Sequence, residues 1–429
     1  MLVYVLSFID RQILSLLVKP MRAALHISDF EMSLLMGSSF ALFYTFFGIP
    51  LGRVADLKSR RSLIAAGVTV WSLMTACCGV ARNYAQLLFL RMGVGVGEAA
   101  LSPSAYSLIS DYFPKERLAT AISVYGMGIY IGSGLAYLAG GLVIGMASAQ
   151  THYVLPIIGQ LEPWQTVFFV IGIPGLMFAL LVYTVREPRR GAMGGKDAGG
   201  KSNGAPSIRE VAGYVWNNRG TFISHNLGFS LFALASYGCA GWIPAFFGRC
   251  HGWPPAQVGL WYGTIMMVFG SAGILCGGRL ADALTRKGYE DAKMRTGFIA
   301  ALAAIPLSMA YPLVSDGTVA MALLAPFVFA LAMPFGVAPA AIQEMMPHSM
   351  RGQASAVYLF LVNLIGMGLG PSAVALFTDY VFHDDNAVGY SLLIVSVLSC
   401  AASALLLYKG MLPFARSMRY LRAWQRDNA

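Results

Sequence analysis

Uncharged apolar stretches of about 20 residues recur along the whole chain, and they restrict its fold more than any other feature. Each is long enough to cross roughly 30 Å of hydrocarbon as a helix. Examples are Met32 to Leu51, Ser62 to Ala81, Val258 to Gly277 and Ala387 to Tyr408. There are twelve spans in the 429 residues when the charged first and fourth are included. The sequence therefore predicts an all-α membrane protein with twelve transmembrane helices.

Basic residues are concentrated on one predicted side of the membrane. If the spans alternate, 24 of the 30 Lys and Arg fall beside loops or tails of one side, here called the basic side, and four fall on the other. The remaining two, Arg11 and Arg91, lie within spans. This bias predicts cytoplasmic termini and a cytoplasmic central linker. It does not indicate a nucleic-acid partner, despite a net charge of +10. The absence of Asn-x-Ser/Thr acceptors favours a bacterial inner membrane.

A Gly-rich polar stretch, residues 188–206, divides the spans six and six. It predicts a flexible linker between a first half, residues 1–187, and a second half, residues 207–429. Within it, Gly195 to Ser202 matches the phosphate-loop pattern GxxxxGK[ST]. We interpret this as a chance match, because no strand precedes it and no soluble α/β domain surrounds it. The six cysteines lack metal-site spacing, so we predict neither a cofactor nor a metal site.

The two halves repeat each other. "GRVADLKSRR", which starts at Gly52, is echoed 226 residues later by "GRLADALTRK", which starts at Gly278. A second echo, 233 residues apart, pairs "SDYFPKERLATAISVY" with "QEMMPHSMRGQASAVY", and thus Asp111 with Glu344. The sequence therefore indicates a duplicated six-span unit.

Charged residues in these repeats predict either topology anchors or a latch on the basic side. The latch would hold the halves in an outward-open state and break when they rock. Its predicted residues in the first half are Gly52, Asp56, Arg60, Arg61, Asp111 and Arg117. Those in the second half are Gly278, Asp282, Arg286, Glu344 and Arg351.

"GRVADLKSRR" resembles the signature of the major facilitator superfamily, and the twelve spans, linker and second copy extend this resemblance over the chain. "FIDRQ", "LRMGVGVGEAA", "DYFPKERLATA" and "VREPRRG" resemble the Spinster branch. The resemblance implies the major facilitator fold, two six-helix halves that expose a central site to each side in turn, and lysolipid or sphingoid phosphate substrates. The Gly-Pro signature of antiporter fifth helices is degraded around Gly132, Ala136 and Gly140, so exchange is not supported.

Four charges lie deep in the predicted spans: Asp10 and Arg11 in the first, Arg91 and Glu98 in the fourth. A buried charge is costly in hydrocarbon, and helix neighbours such as Asp10 and Arg11 point about 100° apart. We therefore expect the four to meet in one aqueous chamber. A fixed salt-bridge cluster is the structural alternative. The functional interpretation is a proton-linked anion site, in which the arginines hold a phosphate or carboxylate. Asp10 and Glu98 would exchange protons.

The second half has no comparable charges in its spans but many bulky residues, which favours an amphipathic solute. The predicted substrate-binding residues are Arg11, Arg91, Tyr125, Phe229, Tyr237, Tyr358 and Asn363. His225 is a second titratable candidate, although its position near a span end favours a polar cap. We predict a monomeric, proton-coupled secondary transporter whose other partners are membrane lipids. The alternatives are a carrier of sugars, organic anions or drugs, a non-transporting receptor, and an intramembrane enzyme, for which no hydrolase motif is present.

Overall fold

The structure is a computed structural model that describes residues 1–113, 115–147, 153–155, 159–188, 208–347 and 350–427. These residues are almost entirely helical, and their two short strands pair as an antiparallel hairpin with Tyr153 opposite Leu161. The all-α fold predicted from the apolar spans is confirmed.

The first half of the chain contains nine helices, one π-helical segment and the hairpin within its described residues. They are α1 (Leu2–Leu16), α2 (Val18–Leu25), α3 (Asp29–Ser33), a π-helical segment (Leu34–Ser38), α4 (Ser39–Leu57), α5 (Arg60–Cys78), α6 (Tyr84–Glu98), α7 (Leu101–Tyr112), α8 (Lys115–Ala147), β1 (Tyr153–Leu155), β2 (Gly159–Leu161) and α9 (Pro163–Val182).

The second half begins with a short helix before its first span. Its elements are α10 (Ile208–Asn217), α11 (Arg219–Cys250), α12 (Pro255–Ile265), a π-helical segment (Met266–Gly270), α13 (Ser271–Arg286), α14 (Ala292–Leu313), α15 (Gly317–Ala332), α16 (Pro334–Met345), α17 (Arg351–Leu361), a π-helical segment (Val362–Gly368), α18 (Leu369–Leu376), a π-helical segment (Phe377–Phe382), a 3₁₀ turn (Asp385–Ala387) and α19 (Val388–Asp427).

Ten helical segments in the described part of the chain are long and apolar enough to cross a membrane. The charged helices α1 and α6, the latter continued by α7, bring the number to the predicted twelve.

Helix starts follow local side-chain chemistry. Ser28 and Glu31 form a reciprocal capping box at α3, and the Asp316 carboxylate accepts from two backbone N–H groups at the start of α15. Such caps satisfy amide donors that have no partner within the helix.

The chain divides into two compact units. Unit 1 comprises Met1–Gly200, Ala240–Met267 and Pro371–Val388. Unit 2 comprises Lys201–Cys239, Val268–Gly370 and Gly389–Ala429. Unit 1 thus contains part of α11, all of α12 and the segment that follows Pro371.

Within unit 1, glycines bring α12 against α8. A Cβ added to Gly259 would lie 2.2 Å from the Tyr137 carbonyl oxygen, so only glycine permits this approach.

The core of unit 2 is built from α10, α11, α14, α16, α17 and α19. Its buried residues include Tyr214, Phe229, Met294, Ile342, Tyr358, Leu407 and Phe414.

Candidate functional site

An ion pair joins α1 to α6 inside unit 1. Arg11 Nη2 and Nε lie 2.7 Å and 2.8 Å from Glu98 Oε2, and the Ser7 hydroxyl donates to the same oxygen. The Glu98 side chain is fully buried, whereas 11% of the Arg11 side chain is exposed. Glu98 Oε1 is buried with no hydrogen-bond partner among the described residues. Arg11 is therefore the more exposed member of the pair.

Aromatic rings surround the Arg11 guanidinium. Its Cζ atom lies 4.8 Å from the ring centroid of Phe8, 4.7 Å from that of Phe40 and 4.8 Å from that of Tyr44. Ring faces attract a cation at such distances and keep its planar group oriented. Sequence reasoning missed these three residues and Ser7, since nothing distinguishes them from other apolar or small residues of a span.

The close approach of α6 to α4 depends on Gly95, which lies between Arg91 and Glu98 in the sequence. A Cβ at Gly95 would lie 2.6 Å from the Phe40 carbonyl oxygen. A larger residue would therefore push α6 away from α4. This glycine contact positions the two charged side chains of α6.

Arg91 is fully buried but forms no ion pair within the described residues. It donates to the carbonyl oxygens of Leu35, at 3.4 Å, and Asp10, at 3.5 Å. Leu35 belongs to the π-helical segment Leu34–Ser38, a kind of distortion that is frequent at functional sites. Arg91 Nη2 is left without a hydrogen-bond partner among the described residues. Its charge is thus balanced by backbone dipoles and by more distant carboxylates.

The Asp10 side chain is also buried, with 1% of the residue exposed. Its electrostatic neighbours are Glu98, Arg91 and Arg11, with the Thr75 hydroxyl of α5 beside it. Asp10 Oδ1 has no hydrogen-bond partner within the described residues. The structure thus brings the four predicted charges into one electrostatic cluster, but only Arg11 and Glu98 form a direct ion pair.

Tyr125 of α8 lies in a group of tyrosines in unit 1. Its ring stacks on Tyr4 with centroids 4.3 Å apart, and its edge contact with Tyr106 has a centroid distance of 5.4 Å. The Tyr44 and Ser102 hydroxyls lie 3.2 Å apart. The Tyr125 hydroxyl is buried, and the Ser102 hydroxyl is its side-chain neighbour.

Two of the predicted substrate residues of unit 2, Phe229 and Tyr358, contact His225. The rings of Phe229 and Tyr358 contact the imidazole edge to face, with centroids at 4.8 Å and 5.2 Å. His225 Nε2 donates to the Ala338 carbonyl oxygen at 2.9 Å. Tyr237 makes an edge contact with Phe335 at 6.3 Å, and Asn363 lies half-buried in the π-helical segment Val362–Gly368. His225 therefore has a structural partner for its N–H, in keeping with a polar cap.

The predicted latch residues of unit 1 centre on Arg60, of which 1% is exposed. Its guanidinium forms an ion pair with Asp111, and it donates to the Ser107 and Pro188 carbonyl oxygens at 3.1 Å each. The Arg60 backbone N–H donates to Glu187 Oε1 at 2.7 Å. Arg60 therefore ties the start of α5 to the end of α7 and to the chain that leaves α9.

Glu187 holds the chain segment that follows α9, although sequence reasoning did not single it out as a site residue. Partial burial raises its pKa, but hydrogen bonds from the Ser59 hydroxyl and from the Arg60 backbone and side chain outweigh this. The net result is a Glu187 pKa below its ordinary value. Its position in "VREPRRG" is the sequence signal that could have identified it.

The other latch candidates of unit 1 have weaker contacts. Arg61 donates to the Tyr183 and Val185 carbonyl oxygens at 3.4 Å and 3.3 Å. A Cβ at Gly52 would lie 3.8 Å from Pro103, an ordinary contact that does not demand glycine. The side chains of Asp56 and Arg117 lie outside the described residues.

In unit 2, the predicted latch residues do not form a copy of the Arg60 cluster. Glu344 pairs with Lys293 of α14, and Arg351 donates to the Met346 carbonyl oxygen at 3.3 Å. A Cβ at Gly278 would meet nothing within 4 Å. Asp282 and Arg286 are exposed, and neither has an ion-pair partner among the described residues. The repeated sequence therefore has different partners in the two units.

A second charge network in unit 1 was not predicted. It centres on Asp29, whose buried carboxylate binds Arg249 through two contacts of 2.5 Å and 2.6 Å and Arg22 at 3.0 Å. Arg22 also pairs with Asp385 at 2.5 Å. The Asp29 network thus joins sequence positions more than 350 apart. Charges at span ends were its only signal in the sequence.

The chain belongs to the Major Facilitator Superfamily, whose family model matches residues 1–371. The family and the helical fold define an integral membrane transporter of small solutes, not an enzyme. Among relatives, the chain is 28% identical over 403 residues to an "MFS-type efflux pump" of Mycolicibacterium smegmatis, covering 92% of this chain and 87% of the relative.

Within the superfamily the chain is a secondary transporter of the Spinster type. It is 25% identical over 398 residues to human "Protein spinster homolog 1", which covers 87% of this chain and 71% of the human protein. A crystal structure of a bacterial homologue of the human lysosomal transporter Spinster, in an inward-facing and unoccupied conformation, matches with a TM-score of 0.77. That match has 27% sequence identity and covers 97% of this chain and 95% of the other. The predicted family and branch are confirmed.

Proposed function

We propose that this transporter moves an amphipathic anionic solute, such as a lysolipid or a sphingoid phosphate, in a proton-coupled cycle. The ion pair between Arg11 and Glu98 is the observation that carries the proposal. It places a permanent cation, partly accessible, against an acid that can be neutralised by one proton. An anion and the Glu98 carboxylate therefore compete for the same guanidinium.

Coupling follows from this competition. Protonation of Glu98 removes its negative charge and weakens its hold on Arg11, whose guanidinium stays charged at physiological pH. The released guanidinium binds a phosphate or carboxylate through its planar pair of N–H donors. When Glu98 loses its proton, it reclaims Arg11 and displaces the anion.

Asp10 and Arg91 are proposed to support the same cycle. Asp10 is a buried acid with an unsatisfied oxygen among the described residues, which suits a second proton site. Arg91 has an unsatisfied buried nitrogen in the same cluster, and its positive charge favours an anion nearby. We propose that Arg91 is the second anion-binding residue.

The apolar part of the solute is assigned to aromatic residues. Tyr125 offers a stacked ring and a hydroxyl in unit 1. Phe229, Tyr237, Tyr358 and Asn363 of unit 2 are proposed to contact the solute at another stage of its passage. Bulky aromatic residues with a few polar groups are typical of sites for amphipathic ligands.

The remaining predicted properties complete the proposal. Arg60, Arg61, Asp111, Glu344, Arg351 and the glycine-acid repeats are proposed to act as a conformational latch on the basic side. The protein is proposed to work as a monomer in a bacterial inner membrane, with both termini in the cytoplasm. The 24 to 4 bias of basic residues supports this orientation.

A binding and transport assay tests the proposal. Purified protein is titrated with a lysolipid, a sphingoid base, a sphingoid phosphate and a sugar acid, and transport of any ligand is followed by counterflow in proteoliposomes. We expect binding of the anionic lipids and loss of that binding in Arg11→Ala, while Arg82→Ala, which removes an exposed cation elsewhere in unit 1, retains it. Stronger binding of the sugar acid would contradict the proposed substrate class. Binding without counterflow would contradict the cycle.

A further inference from the structure

A stripe of exposed residues runs along α11 toward the basic side. Ile223 and Leu227 are exposed, and Gly220 and Trp216 continue their spacing of three or four residues. Residues so spaced share one face of a helix. Asn218 joins α10 to α11: its N–H donates to the Tyr214 carbonyl oxygen at 3.2 Å, and its own carbonyl oxygen accepts from Thr221 and Phe222 N–H. Trp216, with 68% of its surface exposed, lies at the end of α10, three residues before α11 begins.

A matching stripe runs along α19. Leu405, Tyr408 and Leu412 are exposed on this helix, and Arg416 and Tyr420 follow them at the same spacing. An apolar exposed face of a spanning helix contacts lipid tails, and aromatic and basic residues at its end lie at the headgroup level. Both stripes therefore change from apolar to aromatic and basic at one end of their helices.

The two stripes end beside each other. The Thr221 and Ser417 hydroxyls lie 2.7 Å apart, and a Cβ at Gly220 would lie 3.6 Å from Pro413. The Asn217 side chain donates to the Tyr420 hydroxyl at 3.4 Å. These contacts place Trp216 at the end of α10 and Arg219 at the start of α11 near Arg416 and Tyr420 of α19. The four residues are here called the seam.

The two arginines of the seam have no acidic partner. Arg219 donates to the Trp216 carbonyl oxygen at 3.3 Å and lies 5.4 Å from the Trp216 ring centroid. Within the described residues, neither Arg219 nor Arg416 has a carboxylate oxygen within 4.0 Å. Their neighbours Arg419 and Arg422 differ, because both pair with Glu290, at 3.3 Å and 3.1 Å. No carboxylate among the described residues therefore neutralises Arg219 or Arg416.

We propose that this seam binds an anionic phospholipid, with its phosphate between Arg219 and Arg416. The acyl chains lie along Ile223 and Leu412, and Trp216 and Tyr420 border the headgroup. Guanidinium groups bind phosphate oxygens through paired hydrogen bonds, and basic residues beside a span attract anionic lipids. The lipid would join α11 to α19 within unit 2. It is a resident partner and not the transported solute.

Lipid titration of the detergent-purified protein tests the proposal. Phosphatidylglycerol is expected to raise the melting temperature, and phosphatidylcholine and inorganic phosphate are not. The double variant Arg219→Gln and Arg416→Gln is expected to bind phosphatidylglycerol about tenfold more weakly, as expected when charge-assisted hydrogen bonds are lost. The control variant, Arg53→Gln with Lys287→Gln, removes two exposed bases elsewhere and should retain the wild-type affinity.

A second measurement does not depend on the folding of the double variant. Protein is placed in nanodiscs that contain either brominated phosphatidylglycerol or brominated phosphatidylcholine, and quenching of tryptophan fluorescence is compared. Extra quenching by the anionic lipid should disappear in Trp216→Phe. Equal quenching by both lipids, unchanged affinity in the double variant, or equal stabilisation by inorganic phosphate would each overturn the proposal. Loss of solute binding in the double variant would also overturn it, since the arginines would then serve transport.

Discussion

Arg11 and Glu98 meet at a single carboxylate oxygen: Oε2 accepts from two nitrogens of Arg11 and from Ser7, while Oε1 accepts from no described residue. One oxygen therefore holds the arginine, and the other is left without a described partner. The proposed coupling depends on this arrangement.

Glu98→Gln should remove the pH dependence of solute binding. In the wild-type protein we expect anionic lipids to bind more tightly as pH falls, because protonation of Glu98 releases Arg11. In the variant, Arg11 has no competing carboxylate, so binding should be tight at acidic and alkaline pH alike. Isothermal titration of the purified variants measures this directly. Glu98→Asp should keep the pH dependence, and a pH-dependent Glu98→Gln protein would contradict the proposed competition.

Asp10→Asn should separate binding from coupling. The Asp10 side chain is buried and makes no ion pair within the described part of the chain, so its loss should leave the Arg11 pair intact. We expect nearly normal solute binding and counterflow but little uptake driven by a pH gradient. Proteoliposome assays with and without a pH gradient distinguish counterflow from uptake driven by the gradient. If gradient-driven uptake survives in both Asp10→Asn and Glu98→Gln, neither acid couples the proton.

Arg60→Ala should destabilise the protein. Arg60 is buried and binds Asp111, Glu187 and two backbone carbonyl oxygens, all of which lose a charged donor. We expect a loss of about 2 kcal/mol in the free energy of unfolding, because removal of one member of a buried charge cluster leaves the others unsatisfied. Arg61→Ala, which removes exposed hydrogen bonds to two carbonyl oxygens and a ring contact with Tyr183, should cost far less. Denaturation followed by circular dichroism gives both values.

Acidification should weaken the Glu187 anchor. The pKa of Glu187 is lowered in the folded protein from its ordinary value of 4.5. A carboxyl group whose pKa is lowered on folding stabilises the folded protein at pH values above its ordinary pKa. That stabilisation is lost as the pH falls through the pKa of the folded protein. As the pH falls below 4.5, the melting temperature should therefore decrease more steeply in the wild-type protein than in Glu187→Gln. Parallel curves would show that Glu187 contributes nothing to this pH dependence.

Asp29→Asn should loosen the Asp29 network. The buried carboxylate neutralises Arg22 and Arg249, and an amide cannot balance two cations. We expect a lower melting temperature and faster hydrogen exchange in the backbone around residues 22–33. Asp316→Asn is the matched control, because Asp316 is an exposed helix cap and asparagine caps helices as well. Equal effects of the two substitutions would argue against a special role for Asp29.

Much of the fold followed from local sequence patterns. The apolar spans predicted the helices that the structure contains, because a helix satisfies its own backbone hydrogen bonds in lipid whatever its neighbours. The charges of α1 and α6 predicted the candidate site for a similar reason, since a charge in a span needs polar partners.

The pairing within the site could not be predicted. Spacing along α6 places Arg91 and Glu98 on one face, but it does not fix how that face is rotated toward α1. The rotation depends on close contacts such as that of Gly95 with the Phe40 carbonyl oxygen. As a result, Arg11 pairs with Glu98, whereas Arg91 binds backbone carbonyl oxygens.

The sequence by itself determined the membrane class, the duplicated spans and the identity of the buried charges, because each depends on hydrophobicity and charge along one helix. Only the tertiary structure decided which charges touch, why Arg60 is anchored by Glu187, and how residues as distant as Arg22 and Asp385 share a network. Such contacts depend on distances between helices. Those distances are set by the packing of whole side chains, which no spacing within one helix encodes.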